Sequence, residues 1–174
     1  MARIGGEVAL HIRPFREGDE EHMAEIAPAA FLGLGLARLA IDKSLPRDAV
    51  RRAYKEEARG YARRALRGEP DFAVLVAEEE GRPVGYIVVG LDRRMEELFG
   101  FPWGRIISLA VHPDFWGRGI GSALVAEGLK WMRERGVKYA EVSTDQNNIG
   151  AIRAYERNGF RVVYSGLTLS QFLE

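Results

Sequence analysis

The chain predicts a single mixed α/β domain. Three observations carry this: β-rich runs interleave with amphipathic helical segments, no internal repeat is visible, and 174 residues suit one apolar core. Formal charge is zero, from 25 cations and 25 anions, so the overall balance gives no case for nucleic acid or an anionic membrane as partner. The first seven residues do not resemble a secretory h-region, and no apolar run reaches bilayer length, which predicts a soluble, cytoplasmic protein. Without cysteine there is no disulfide, thiolate nucleophile or thiolate metal site, and His11, His22 and His112 are too scattered to make a cluster, so no metal is expected.

The elements follow in order. Val8 to Phe15 reads as a first strand, and Gly18-Asp19 offers an N-cap to a helix carrying Met23, Ile26 and Ala27. Phe31 to Ile41 is apolar and glycine-spaced without a clean period, which suits a helix end plus a buried connection, or a binding-site wall. From Pro46 to Leu66, Val50, Tyr54, Ala58, Tyr61 and Ala65 recur at helical spacing; Glu56 and Glu57 interrupt an arginine-rich outer face that reads as solvated. Phe72 to Ala77 and Val84 to Gly90 flank a turn former, Gly81, and should pair as an antiparallel hairpin. Met95 to Trp103 is expected to be an aromatic loop covering a cleft or a partner surface.

Ile106 to Val111 forms the next strand and runs into Gly117, Gly119 and Gly121, which open a helix carrying Ile120, Leu124, Gly128, Trp131 and Met132 and closed by Gly136. Such a junction turns successive N–H groups toward a ligand and adds the positive end of a helix, so it suits an anion such as a pyrophosphate. No Lys-Ser/Thr follows Gly119 or Gly121, which sets aside a P-loop, and the glycine spacing does not fit a dinucleotide fold. Tyr139 to Thr144 is a further strand, Asn147-Asn148 begins a short helix through Arg157, and Phe160 to Tyr164 with Leu167 to Phe172 are expected to close the sheet.

Trp116-Gly-Arg-Gly-Ile-Gly121 resembles the Arg/Gln-x-x-Gly-x-Gly/Ala signature of the GNAT superfamily of N-acetyltransferases, and Asn148-x-x-Ala151-x-x-x-Tyr155-x-x-x-Gly159-Phe160 resembles its second motif, in the same order and spacing. The resemblance covers about residues 72 to 165, and Trp116 departs from it by replacing a polar side chain. It implies a mostly antiparallel mixed sheet of about six to seven strands with about four helices, splayed between 106–112 and 139–144. It implies one domain over 1–174, with 1–71 as the variable acceptor side and 72–174 as the acetyl-CoA core. Acetyl-CoA would be the cosubstrate, held by main-chain groups of Leu109, Ala110 and Val111, by Trp116, Gly117, Arg118, Gly119, Ile120, Gly121 and Ser122 at the pyrophosphate, and by Asn148, Ala151 and Tyr155 nearer the thioester.

The implied reaction is attack of a neutral amine on the thioester, with Tyr155 as general acid. The family's usual bases are missing, since Arg105 and Ser143 stand where relatives carry glutamate. Glu141, on the strand face of Ser143, is the candidate base; Glu78, Glu96, Glu97, Asp145 and His112 are weaker, and relay through water at Ser108 or Ser143 stays open. By the same resemblance the acceptor would be a primary amine of a small molecule or a peptide, with the amino sugar of a nucleotide-sugar as the alternative. A regulatory acyl-CoA-binding protein without catalysis is the competing class, and the segments 31–41 and 95–103 could also support a homodimer.

Overall fold

The computed structural model describes residues 10–33, 38–171 and 173. Strands β1 (His11–Pro14), β2 (Phe72–Glu79), β3 (Arg82–Leu91), β4 (Trp103–Val111) and β5 (Tyr139–Val142) lie side by side in that order. The first four are antiparallel neighbours, and β5 joins β4 in parallel. The expected hairpin is β2–β3; its two central residues, Glu80 (φ 50°) and Gly81 (φ 78°), are both left-handed, the geometry that matches strand twist.

Helices α1 (Asp19–Gly33), α2 (Arg38–Ile41), α3 (Arg47–Leu66), α4 (Arg93–Phe99), α5 (Ile120–Arg133) and α6 (Ile149–Glu156) surround the sheet. Because side chains alternate along a strand, Val74, Val76, Tyr86 and Val88 pack against Met23, Ile26, Tyr54 and Ala58 of α1 and α3. Their neighbours Leu75, Ala77, Ile87 and Val89 pack against Leu124, Val125 and Met132 of α5 and Tyr155 of α6. Gly128 sets the approach of α5, since a Cβ there would stand 3.0 Å from both Ile87 Cδ1 and Val89 Cγ1. No helix among the described residues is long and apolar enough to cross a membrane.

The start of α1 is tied to the sheet by a part-buried ion cluster around the buried Asp19. Arg13 on β1 grips both oxygens of Asp19, at 2.7 and 2.9 Å, and its Nε donates to Glu78 Oε2 at 2.8 Å. Burial alone would raise the Asp19 pKa, but the hydrogen bonds from the Arg13 guanidinium and the Arg16 amide outweigh it and hold the carboxyl below its usual range. Its stabilising contribution is therefore complete above the unfolded value near 4 and is lost as pH falls through the lower folded value. Asp19→Asn should cost about 2–4 kcal/mol at neutral pH, because it leaves Arg13 buried with half its partners. Urea unfolding at pH 7 and at pH 3 checks this: the gap between wild type and variant should narrow in acid, and an equal gap at both would contradict the linkage.

Three expectations need correction. The sheet has five strands among the described residues and six α-helices surround it, against about six to seven and about four. The closing strands at 160–164 and 167–172 are absent among the described residues; Val163 and Leu169 are 83% and 91% exposed, and Phe172 lies outside the description. The aromatic segment 95–103 is not a loop. Asp92 Oδ1 accepts from the Met95 amide and caps α4, which ends at the left-handed Gly100, and Phe99, Phe101 and Trp103 then cluster with Tyr139 where β4 and β5 begin.

Smaller shifts lie at boundaries. The described part of the first strand is His11–Pro14, with Val8 and Ala9 outside the description, and β5 stops at Val142. The segment 31–41 resolves into the end of α1 and the short α2, with 34–37 outside the described residues.

Candidate active site

The site begins at a bulge. Val88 pairs with Ser108 and Val89 with Ile106, so Ile107 is an extra residue that bends β4. The β4–β5 ladder ends at the same level, at Ile106 opposite Val142, while β4 runs on to Val111. A gap therefore opens between the two strands. The His112 amide donates to Val84 on β3 at 2.8 Å, and strand alternation turns the main-chain groups of Val111 and Leu109 the other way, into the gap. Those of Ala110 face β3, opposite Tyr86, and its side chain lies in the core beneath α1 and α3.

The gap is a cleft of about 170 Å³ that passes through the sheet. Ser108, Leu109, Ser143, Asn148, Ala151 and Tyr155 line it from β4, the end of β5 and α6. Phe31 of α1 and Tyr54 and Glu57 of α3 line it from the opposite face.

At the end of β4 a 3-10 turn (Pro113–Phe115) leads to Gly117 (φ 78°) and Gly119 (φ 81°), the latter capping α5. Only glycine holds these values without strain, and the amides of Ile120, Gly121 and Ser122 in the first helical turn have no partners within the helix. Their arrangement suits an anion. Asn158 braces this turn by donating to Ser122 O and Oγ, both at 3.0 Å, and to Ala154 O at 2.8 Å. Gly121 faces α6, where an added Cβ would only touch Ala154 and Val111 at 4.0 Å, and the Ile120 side chain is core. The Arg118 guanidinium turns back to Glu79 at 3.2 Å, over the Phe115 ring. The Trp116 indole N–H donates to the Val111 carbonyl at 2.7 Å, so it covers one of the two main-chain edges in the gap.

Asn148 caps α6 by accepting from the Ala151 amide at 3.2 Å, which aims that helix at the cleft and places Tyr155 two turns in. Tyr155 is 7% exposed, its ring edge-on to Phe160, and burial pushes its phenol up to about 12. Ser143 lines the cleft, and Glu141 lines an adjoining hollow with Ile106, Ile107 and Ser143; Arg105, its partner across the parallel ladder, forms an ion pair with it.

Phe31 bears out the site-wall alternative for the segment 31–41, whereas Tyr54, Glu57 and Asn158 are residues that the sequence did not single out for the site. Tyr54 and Glu57 are three apart on one helix, so they share a face, but nothing in the sequence says that this face meets β4.

The model of the acetyltransferase (GNAT) family matches residues 41–160. An uncharacterized N-acetyltransferase of Methanocaldococcus jannaschii is 32% identical over 106 residues, which is 61% of this chain and 46% of that protein. A mycothiol acetyltransferase of Propionibacterium freudenreichii subsp. shermanii is 34% identical over 95 residues, 55% of this chain and 29% of that one. The chain thus spans less than half the length of these curated relatives. Among solved structures it is similar to a PaiA N-acetyltransferase of Thermoplasma acidophilum in complex with coenzyme A, with TM-score 0.73 and 19% identity over 91% of this chain and 93% of that one.

Proposed function

Because this chain belongs to the GNAT family of acetyltransferases, we propose that it transfers the acetyl group of acetyl-CoA to the primary amine of a small molecule. The observation that carries this is the cleft itself, which sets the buried phenol of Tyr155 beside the free edge of β4, the strand that leads on to the glycine turn. The mycothiol acetyltransferase relative supports an amine acceptor of small size.

Amides from Gly117 to Ser122 would hold the pyrophosphate, and the main-chain groups of Leu109 and Val111 would pair with the amides of the pantetheine arm as an added strand does. Trp116 must then release the Val111 carbonyl, or that pairing is made by Leu109 alone. The thioester would lie beside the bulge at Ile107, where a main-chain N–H outside the ladder could meet the developing oxyanion. Tyr155, its phenol kept protonated by burial, donates to the leaving thiolate, whose parent thiol titrates near 8.5. Residues 72–174 would supply the acetyl-CoA side and 1–71 much of the acceptor side, within one unit.

Titration calorimetry with acetyl-CoA tests this reading. Saturable binding with micromolar affinity supports it, and absence of heat with a folded protein would overturn it. Binding followed by no thiol release with any amine would favour the non-catalytic acyl-CoA-binding protein.

A further inference from the structure

The cleft is lined from both faces of the sheet with different chemistry. On the α5–α6 face its walls are Leu109, Ala151 and Tyr155; on the α1–α3 face they are Phe31, Tyr54 and Glu57. The rings of Phe31 and Tyr54 lie 5.0 Å apart, and Tyr54 is buried. Glu57, one helical turn beyond Tyr54, is exposed and lines the cleft, and the Tyr61 hydroxyl donates to its Oε1 at 3.0 Å, which engages one of its two oxygens. Among the described residues no cation pairs with Glu57, whereas Glu56 is paired with Arg59 and Glu141 with Arg105. The two charged side chains that line the cleft, Glu57 and Asp145, are both acidic. An unpaired carboxylate beside two aromatic rings recognises a protonated amine on an apolar body.

We propose that Glu57 receives the acceptor: it holds the incoming ammonium and takes the proton that must leave before attack, so the substrates are small, net-cationic primary amines with an apolar body. This rests on the acetyl-transfer reading of the same cleft. The ammonium gives one proton to the Glu57 carboxylate, and the freed lone pair bonds to the thioester carbon. The C–S bond then breaks, the thiolate takes the Tyr155 proton, and the nitrogen of the adduct returns its second proton to the phenolate. Glu57 finally loses its proton to solvent, so each turnover converts an ammonium and a thioester into an amide, a thiol and one released proton.

Initial rates with phenethylamine, butylamine and glycine as acceptors test this on the full chain. Wild type should favour the two cationic amines over zwitterionic glycine, and Glu57→Gln should raise their KM about tenfold and erase that preference. In wild type kcat/KM should level off below the pKa of the free amine, near 10, whereas in the variant it should climb until the amine itself titrates. Acetyl-CoA affinity, measured in parallel, should be the same in both proteins. Equal KM, equal preference and equal pH profiles would overturn the role of Glu57 while leaving acetyl transfer standing. If wild type binds acetyl-CoA but transfers to no amine, the transfer reading fails first. Phenethylamine binding by NMR then decides for Glu57: loss of binding in the variant supports the anchoring, and equal or absent binding in both overturns it.

Discussion

Gly119→Glu should lose acetyl-CoA binding, with affinity falling by roughly a hundredfold or more, because it sets a carboxylate among the amides that would face the pyrophosphate. Two separate costs enter. The left-handed φ of 81° strains any L residue by about 1–2 kcal/mol, whereas the space around an added Cβ is open. Charge repulsion against a nearby anion is the larger cost in a site that has turned its dipoles inward. Gly119→Ala separates the two, since it carries the same strain without the charge, and it should keep measurable binding. A folded Gly119→Glu protein that bound acetyl-CoA like wild type would remove the turn from the site.

Tyr155→Phe should lower kcat about a hundredfold and leave acetyl-CoA affinity nearly unchanged, since it removes a proton donor and almost no volume. The packing survives the change: the ring keeps its edge-on contact with Phe160, and no described residue hydrogen-bonds the hydroxyl. The pH dependence carries its own sign. A phenol pushed up to about 12 remains protonated throughout the neutral and mildly alkaline range, so kcat in wild type should not fall between pH 7 and pH 10. A decline across that range, or equal turnover in the two proteins, would take the proton-donor role away from Tyr155.

Much of the frame is legible in the sequence because the signals are local. Gly81 between two valine-rich runs announces the β2–β3 hairpin, and Gly117 and Gly119 announce positions where φ is positive. Asn148 announces the cap of α6, and Tyr155 then follows at helical spacing. What is not legible depends on partners far along the chain. Tyr54 and Glu57 share a cleft with Ser108 and Tyr155 only because α3 crosses the face where β4 leaves β5. Strand alternation puts Glu141 on the face of Ser143, but only the parallel register sets it opposite Arg105.

Two misreadings came from letting composition stand for structure. Met95 to Trp103 is rich in aromatics, yet Asp92 before it and Gly100 within it are helix start and stop signals, and α4 obeys them. The run Phe160 to Tyr164 has high β-propensity, but propensity of this kind measures fit to a pleated, half-buried surface; Phe160 packs on Tyr155, while Arg161 to Tyr164 lie exposed without such a surface.

The central claim is acetyl transfer through this cleft, and its most direct test is one assay that follows both products. Protein, acetyl-CoA and a panel of small primary amines are mixed, free thiol is read by colour and acetylated amine by mass spectrometry. Transfer predicts equal amounts of the two, absent without protein and greatly reduced in Tyr155→Phe. Thiol release without acetylated amine, or no release with a protein that binds acetyl-CoA, would contradict it.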